Sequence, residues 1–201
     1  MKYPIEELPN RWSLAKLLGE GTVGCELGVL EGDHAEELFR SVKPKELHLV
    51  DYWRLAPDRP GLGADNWRKV RDRFDARIAE GFVQLHEGSF ADVLKRFPDR
   101  FFDWIYIDGY HTYEATKRDI ADALPKIKIG GILCGHDFKV YPEDWRTGCP
   151  RAVIEAVQNG IGPMIALSNA NFADWAIRVG GFDASRSCDV VVELPEPGKG
   201  E

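Results

Sequence analysis

A chain of 201 residues with 44% hydrophobic and 29% charged side chains can bury a substantial core. It reads as a single domain, 1–201, with its core over about 20–180 and an extension over 181–201. A formal net charge of −7 argues against sequence-independent nucleic-acid binding, which needs a basic face, and four cysteines without C-x-x-C spacing argue against a structural zinc site.

The N-terminal MKYPIEELPNRW has no apolar signal core, and no stretch approaches the roughly 18 apolar residues of a spanning helix. A cytoplasmic protein with reduced thiols and no membrane partner is expected. WSLAKLLG (12–19) suits a short leading helix, and VGCELGV (23–29) is a strand candidate that turns at Leu30-Glu31-Gly32. Asp33 and Glu36 have the spacing of a capping box, and Ala35, Leu38, Phe39 and Val42 share one face of the helix behind them. ELHLVDYW (46–53) is a second strand closing on Asp51, RLAPDRPGLGADNW reads as a loop, and a charged helix covers about 66–80. FVQLHEGSF (82–90) is a third strand, ADVLKRF a helix, and FDWIYIDG (102–109) a fourth strand.

Thr112 to Ile127 carries Tyr113, Ile120, Leu124 and Ile127 at helical spacing. Gly130-Gly131 then turns the chain into ILCG (132–135), a fifth strand that ends at His136-Asp137. A loop rich in aromatic and acidic residues (139–150), a helix (RAVIEAVQNG), two strands (PMIALS and DWAIRV) and a last apolar stretch (DVVVEL) complete the order. Strands alternating with helices imply βαβ units and a mostly parallel, doubly wound α/β sheet covered on both faces.

Ligands of such sheets sit beyond the carboxyl ends of the strands. Those ends carry Glu26 and Gly28 to Gly32, then Asp51, Gly88-Ser89, Asp108-Gly109 and His136-Asp137. The first turn reads E-x-G-x-x-x-G rather than G-x-G-x-x-G; its glycines serve either a ligand's approach or tight βα packing. An acid at the position of Asp51 can accept ribose hydroxyls or cap a turn. Gly88-Ser89-Phe90 offers a hydroxyl and an aromatic wall, or a plain turn.

The stretch IDGYHTYEATKRDI, followed by LPKIKIGGILCGHDF, resembles the class I S-adenosylmethionine-dependent methyltransferases. The likeness covers about residues 23–138, is looser up to Val179, and falls nearest the small subgroup with D-G-x-H-x-Y and H-D signatures, related to macrocin-type and catechol-type O-methyltransferases. It implies a Rossmann-like seven-stranded sheet, mostly parallel with an antiparallel last strand. It also implies that Glu26, Gly28, Leu30 and Gly32 hold the methionine part of S-adenosyl-L-methionine and that Asp51 binds its ribose. Tyr52, Ser89 and Phe90 would line the adenine pocket, with Asp108 facing the cofactor.

By the same resemblance Asp108, His136 and Asp137 would hold Mg2+ or Mn2+, an oxygen-rich set with one imidazole. His136 stands where these relatives carry an acid, and Tyr110 where the sugar-modifying ones have a second acid. His111, assisted by Asp108 and Asp137, is the candidate general base; the alternative is a histidine that braces the loop through Asp137. His34 at a helix start can touch the cofactor, His48 and His86 read as structural, and Lys117/Arg118 as a solvated face. The expected activity is methylation of a small-molecule acceptor, at oxygen. The rivals are a nicotinamide-dependent oxidoreductase and a non-catalytic or hydroxylase-like relative. No nucleic-acid or membrane partner is expected, and a homo-oligomer stays open.

Overall fold

The computed structural model describes residues 5–55, 60–138, 148–169 and 173–180. Among them eight strands form one sheet: β1 (Glu6–Leu8), β2 (Val23–Leu27), β3 (Glu46–Asp51), β4 (Val83–Glu87), β5 (Phe102–Ile107), β6 (Ile127–Gly135), β7 (Met164–Ser168) and β8 (Trp175–Arg178). Their order is β1-β7-β8-β6-β5-β2-β3-β4. β8 runs antiparallel to β6 and β7, and the other neighbours are parallel. The α/β class and the antiparallel DWAIRV strand match expectation, with eight strands in place of seven. The additional strand is β1, which pairs with β7 at the sheet edge.

Among the described residues six helices cover the sheet: α1 (Ala15–Leu18), α2 (Asp33–Val42), α3 (Pro60–Ala79), α4 (Phe90–Leu94), α5 (Tyr113–Ala123) and α6 (Gly148–Gln158). Period-two alternation assigns the two faces. Along β5, Trp104 and Tyr106 join Ala35, Leu38, Val70 and Phe74 of α2 and α3. Ile105 and Ile107 join Val93, Ile120 and Val153 of α4, α5 and α6 on the opposite face. Each fully buried large side chain contributes about 1.5–3 kcal/mol.

Three local expectations are corrected. α3 begins at Pro60, so Gly61 to Trp67 are helical rather than loop; proline suits a first turn because its missing N–H would have no partner there. β6 begins at Ile127, and Gly130-Gly131 lie within it where its register against β5 shifts between Phe102 and Trp104, a bulge instead of a turn. The helix from Thr112 stops at Ala123 and gives way to a 3-10 turn, Leu124–Lys126. The expected DVVVEL stretch, Cys188 and the extension 181–201 lie outside the described residues, as do Tyr141, Trp145 and Arg146. Cys25, Cys134 and Cys149 are buried free thiols.

Away from the strand ends, buried His48 pairs with partly exposed His86, Nδ1 to Nε2 at 3.0 Å, ringed by Phe97, Phe101 and Phe102 around His48. Burial pushes both imidazoles down to about 4, and for His86 the neighbouring charges of His48 and Arg96 add to it. An unfolded histidine titrates near 6.5, so the unfolded chain binds more protons between these values. The pair's contribution is therefore complete above pH 6.5 and is lost as pH falls towards 4. Urea titrations should show about 2–4 kcal/mol less stability at pH 4.5 than at pH 7, discounted for the partly exposed His86. The double variant His48→Leu/His86→Leu should flatten part of that limb; an unchanged slope would remove the pair as its source.

Candidate active site

At the carboxyl ends of β2 to β5 the chain encloses a cleft of about 900 Å³. It opens at the switch point where β2 is flanked by β3 on one side and β5 on the other. β2 leaves the sheet through Gly28, whose φ of 93° suits a residue without Cβ. A Cβ there would lie 2.0 Å from the Asp108 carbonyl oxygen, so the glycine lets the ends of β2 and β5 close on one another.

The turn after it is organised by Asp51. Its Oδ2 accepts the amides of Val29 and Leu30 at 2.8 and 2.9 Å, and its Oδ1 accepts that of Trp53 at 3.2 Å. The Trp53 indole then donates to the Leu30 carbonyl at 3.0 Å. Gly32 is the N-cap of α2 and packs against Val70 and Phe74 of α3; unlike Glu26, Gly28 and Leu30, it does not line the cleft. The expected capping box at Asp33 is absent, since Asp33 pairs with Arg73 and Glu36 with Arg77. Those cations hold Glu36 below its ordinary range, the Arg77 hydrogen bond most of all.

Glu26 is 1% exposed. Its carboxylate meets His34 Nδ1 at 2.9 Å, and the His34 ring lies between those of Tyr106 and Trp12, at 4.3 and 5.8 Å. The sequence position of Glu26, inside β2 on the α2 side, thus places an acid and an imidazole together on the cleft wall.

At the opposite end Tyr52 and Phe90 face the cleft with ring centroids 6.4 Å apart. Ser89 also borders it, but its hydroxyl caps α4, accepting from the Asp92 amide and donating to the Asp92 carboxylate. Arg118, expected on a solvated face, lines the cleft; Lys117 does turn outward, to Glu155 of α6.

Asp108 and His111 line the cleft, whereas His136 and Asp137 do not. Thr112 caps α5 through the Ala115 amide, which fixes His111 just before the helix. Its Nε2 stands 3.2 Å from Asp137 Oδ2 and 3.6 Å from Asp108 Oδ1. His136 Nδ1 stands 3.4 Å from Asp137 Oδ1 and 3.7 Å from Asp108 Oδ1. Asp137 is 4% exposed and has φ 60°. The preceding His136 carbonyl is held by the Trp175 indole and the Cys149 thiol.

The four residues expected as base and metal ligands therefore do converge. The metal expected at Asp108, His136 and Asp137 finds no support: among the described residues no group of three or more His, Cys, Asp or Glu is arranged to hold an ion. The carboxylates face imidazole nitrogens, and only Asp108 of that set faces the cleft.

A family model described as a methyltransferase domain matches residues 25–138. The chain belongs to this family. No curated protein matches the sequence. Among solved structures, a protein from Corynebacterium glutamicum superposes with TM-score 0.66 at 12% identity, covering 87% of this chain and 84% of its own. An O-methyltransferase from Bacillus cereus gives 0.62 at 15%, covering 83% and 78%. A methyltransferase from Podospora anserina gives 0.59 at 16%, covering 79% and 72%. At these identities the likeness is one of fold.

Several cleft residues, Trp12, Asn66 and Asp119 among them, were not read from the sequence as site residues. Trp12 precedes the matched segment and reaches the cleft from the 3-10 turn Arg11–Leu14, its ring 5.8 Å from that of His34 on α2. Asn66, 3% exposed with no hydrogen-bond partner for Oδ1, also lines it, hidden in a stretch read as loop. Asp119 is the third of these. Its place in the signature was visible, but its burial was not. No described helix is long and apolar enough to cross a membrane.

Proposed function

We propose that the protein transfers a methyl group from S-adenosylmethionine to a hydroxyl of a small-molecule acceptor, with His111 as general base. The observation that carries this is a single cleft, within the family-matched segment but for Trp12, that joins a preformed loop at Gly28–Leu30 to an imidazole braced by a buried carboxylate. The Bacillus cereus and Podospora anserina neighbours were solved with S-adenosylhomocysteine, which supports the choice of cofactor.

The residues suit the cofactor. Gly28 leaves the approach open, Glu26 and the loop amides flank the amino-acid part, and Tyr52 and Phe90 flank the base. Asp51 already accepts three hydrogen bonds of about four a carboxylate can take, so it would accept one ribose hydroxyl instead of two. When bound, the cofactor supplies a methyl group made electrophilic by its sulfonium. His111 would take the acceptor's proton while the methyl group passes from sulfur to oxygen and S-adenosylhomocysteine leaves, and Asp137 would orient the ring and stabilise the imidazolium.

The described lining holds seven Asp and Glu residues and, among Lys and Arg, only Arg118. Such a field favours neutral or cationic acceptors over phosphorylated or carboxylated ones. Calorimetry should give micromolar binding of S-adenosylhomocysteine and none of NADH, and a labelled-methyl assay should then find turnover on neutral or amine-bearing alcohols and phenols. Binding of NADH with none of S-adenosylhomocysteine would sink this reading.

A further inference from the structure

We propose that Asp119 reads the exocyclic amine of the cofactor's adenine and sets the preference of this cleft for an adenosyl group. The inference rests on S-adenosylmethionine as the cofactor and adds a specificity residue on α5. Asp119 lies one helical turn and a half beyond Tyr113, with its carboxyl directed back under the Asp108-Gly109 strand end. A Cβ on Gly109 would lie 2.7 Å from the Phe90 ring and 3.2 Å from Asp119 Oδ2. The carboxyl and the aromatic wall therefore meet at one point of the cleft, with Tyr52 across from Phe90.

Asp119 is 5% exposed. Among the described residues no hydrogen bond or ion pair reaches its carboxyl; the charges acting on it are those of Arg118 and Asp122 on its own helix. A buried polar group left in this state is costly, and a ligand that satisfies it gains the difference. The Ser89 hydroxyl, which also lines the cleft, is spent on the α4 cap, whereas the Asp119 carboxyl keeps unspent acceptor capacity at the aromatic end.

The chemistry of the group selects its partner. Desolvation raises its pKa to about 7, with Asp122 adding to the rise and Arg118 opposing it. An ionised carboxylate accepts from the adenine amine. A protonated one accepts from the amine and donates to the adjacent ring nitrogen, the complementary pair on that edge. Both forms need the amine. The aromatic rings bind any purine face, so it is the carboxyl that distinguishes one purine from another.

The test compares S-adenosylhomocysteine with its 6-deamino analogue, which has purine in place of adenine, by calorimetry on the intact protein. The native protein should bind the analogue about 10- to 30-fold more weakly. In Asp119→Ala that ratio should shrink to about threefold or less, with affinity for S-adenosylhomocysteine lowered by a similar factor. Asp119→Asn, which retains an acceptor and a donor, should keep most of the discrimination and guards against a folding defect in the alanine variant. An unchanged ratio in a folded Asp119→Ala protein would overturn the role of Asp119 and leave the cofactor assignment standing. Absence of S-adenosylhomocysteine binding to the native protein would instead overturn the assignment and this inference together.

Discussion

Replacing His111 by alanine should lower kcat for methyl transfer by roughly 10²- to 10⁴-fold, with S-adenosylhomocysteine affinity kept within a few fold. The asymmetry follows from position. His111 borders the cleft between Asp108 and Asp137, away from the Tyr52 and Phe90 end where most cofactor area would be buried. Asp137→Asn separates base from brace, because asparagine tolerates positive φ well and the φ of 60° need not change. That variant should retain the fold yet lose a large part of kcat, since the amide cannot stabilise an imidazolium as a carboxylate does. If His111→Ala changed cofactor affinity and kcat by the same small factor, His111 would be a loop brace and the base would lie elsewhere.

The second large effect is expected at Gly28. Alanine there combines a φ of 93° with a Cβ placed 2.0 Å from the backbone oxygen of Asp108. Strain from positive φ alone costs about 1–2 kcal/mol, but this contact cannot relax by rotating a side chain. The ends of β2 and β5 must separate, and with them the bond from the Asp108 amide to the Leu27 carbonyl. A loss of about 3 kcal/mol or more in urea unfolding is expected, together with loss of cofactor binding under conditions where the variant remains folded. Gly81→Ala is the control: its φ is 83° and nothing lies within 4 Å of the added carbon, so it should cost only the strain. Equal destabilisation at both positions would show that the β2–β5 approach is not the reason for Gly28.

Much of this architecture was legible because strand ends advertise themselves. Residues such as Trp104 to Ile107 followed by Asp108-Gly109 mark both a buried strand and its exit, and parallel order makes the exits converge. His111 and Asp137 could be paired from sequence for that reason. Other features depend on contacts that no local pattern records. β1 is three residues long with two of them exposed, so only its pairing with β7 makes it a strand. Gly61 and Gly63 look like helix breakers, yet Gly63 lies inside α3 because a Cβ would strike the Trp53 carbonyl, 1.9 Å away. The metal set marks another limit: proximity of acids and imidazoles after neighbouring strands does not distinguish a coordination sphere from mutual pairing. Asp119 shows the limit from the other side, since helical phase locates it but only the approach of Phe90 and Gly109 explains its burial.

The hold of Asp51 on the loop after β2 has a consequence for how affinity and stability are linked. Three hydrogen bonds to one carboxylate fix Val29, Leu30 and Trp53 before any ligand arrives. The conformational entropy of that segment is thus lost during folding instead of during binding. Association then needs little rearrangement there and should be fast. Local opening of the β3 end would withdraw the binding-competent state, so apparent affinity would decline with temperature well before the sheet melts.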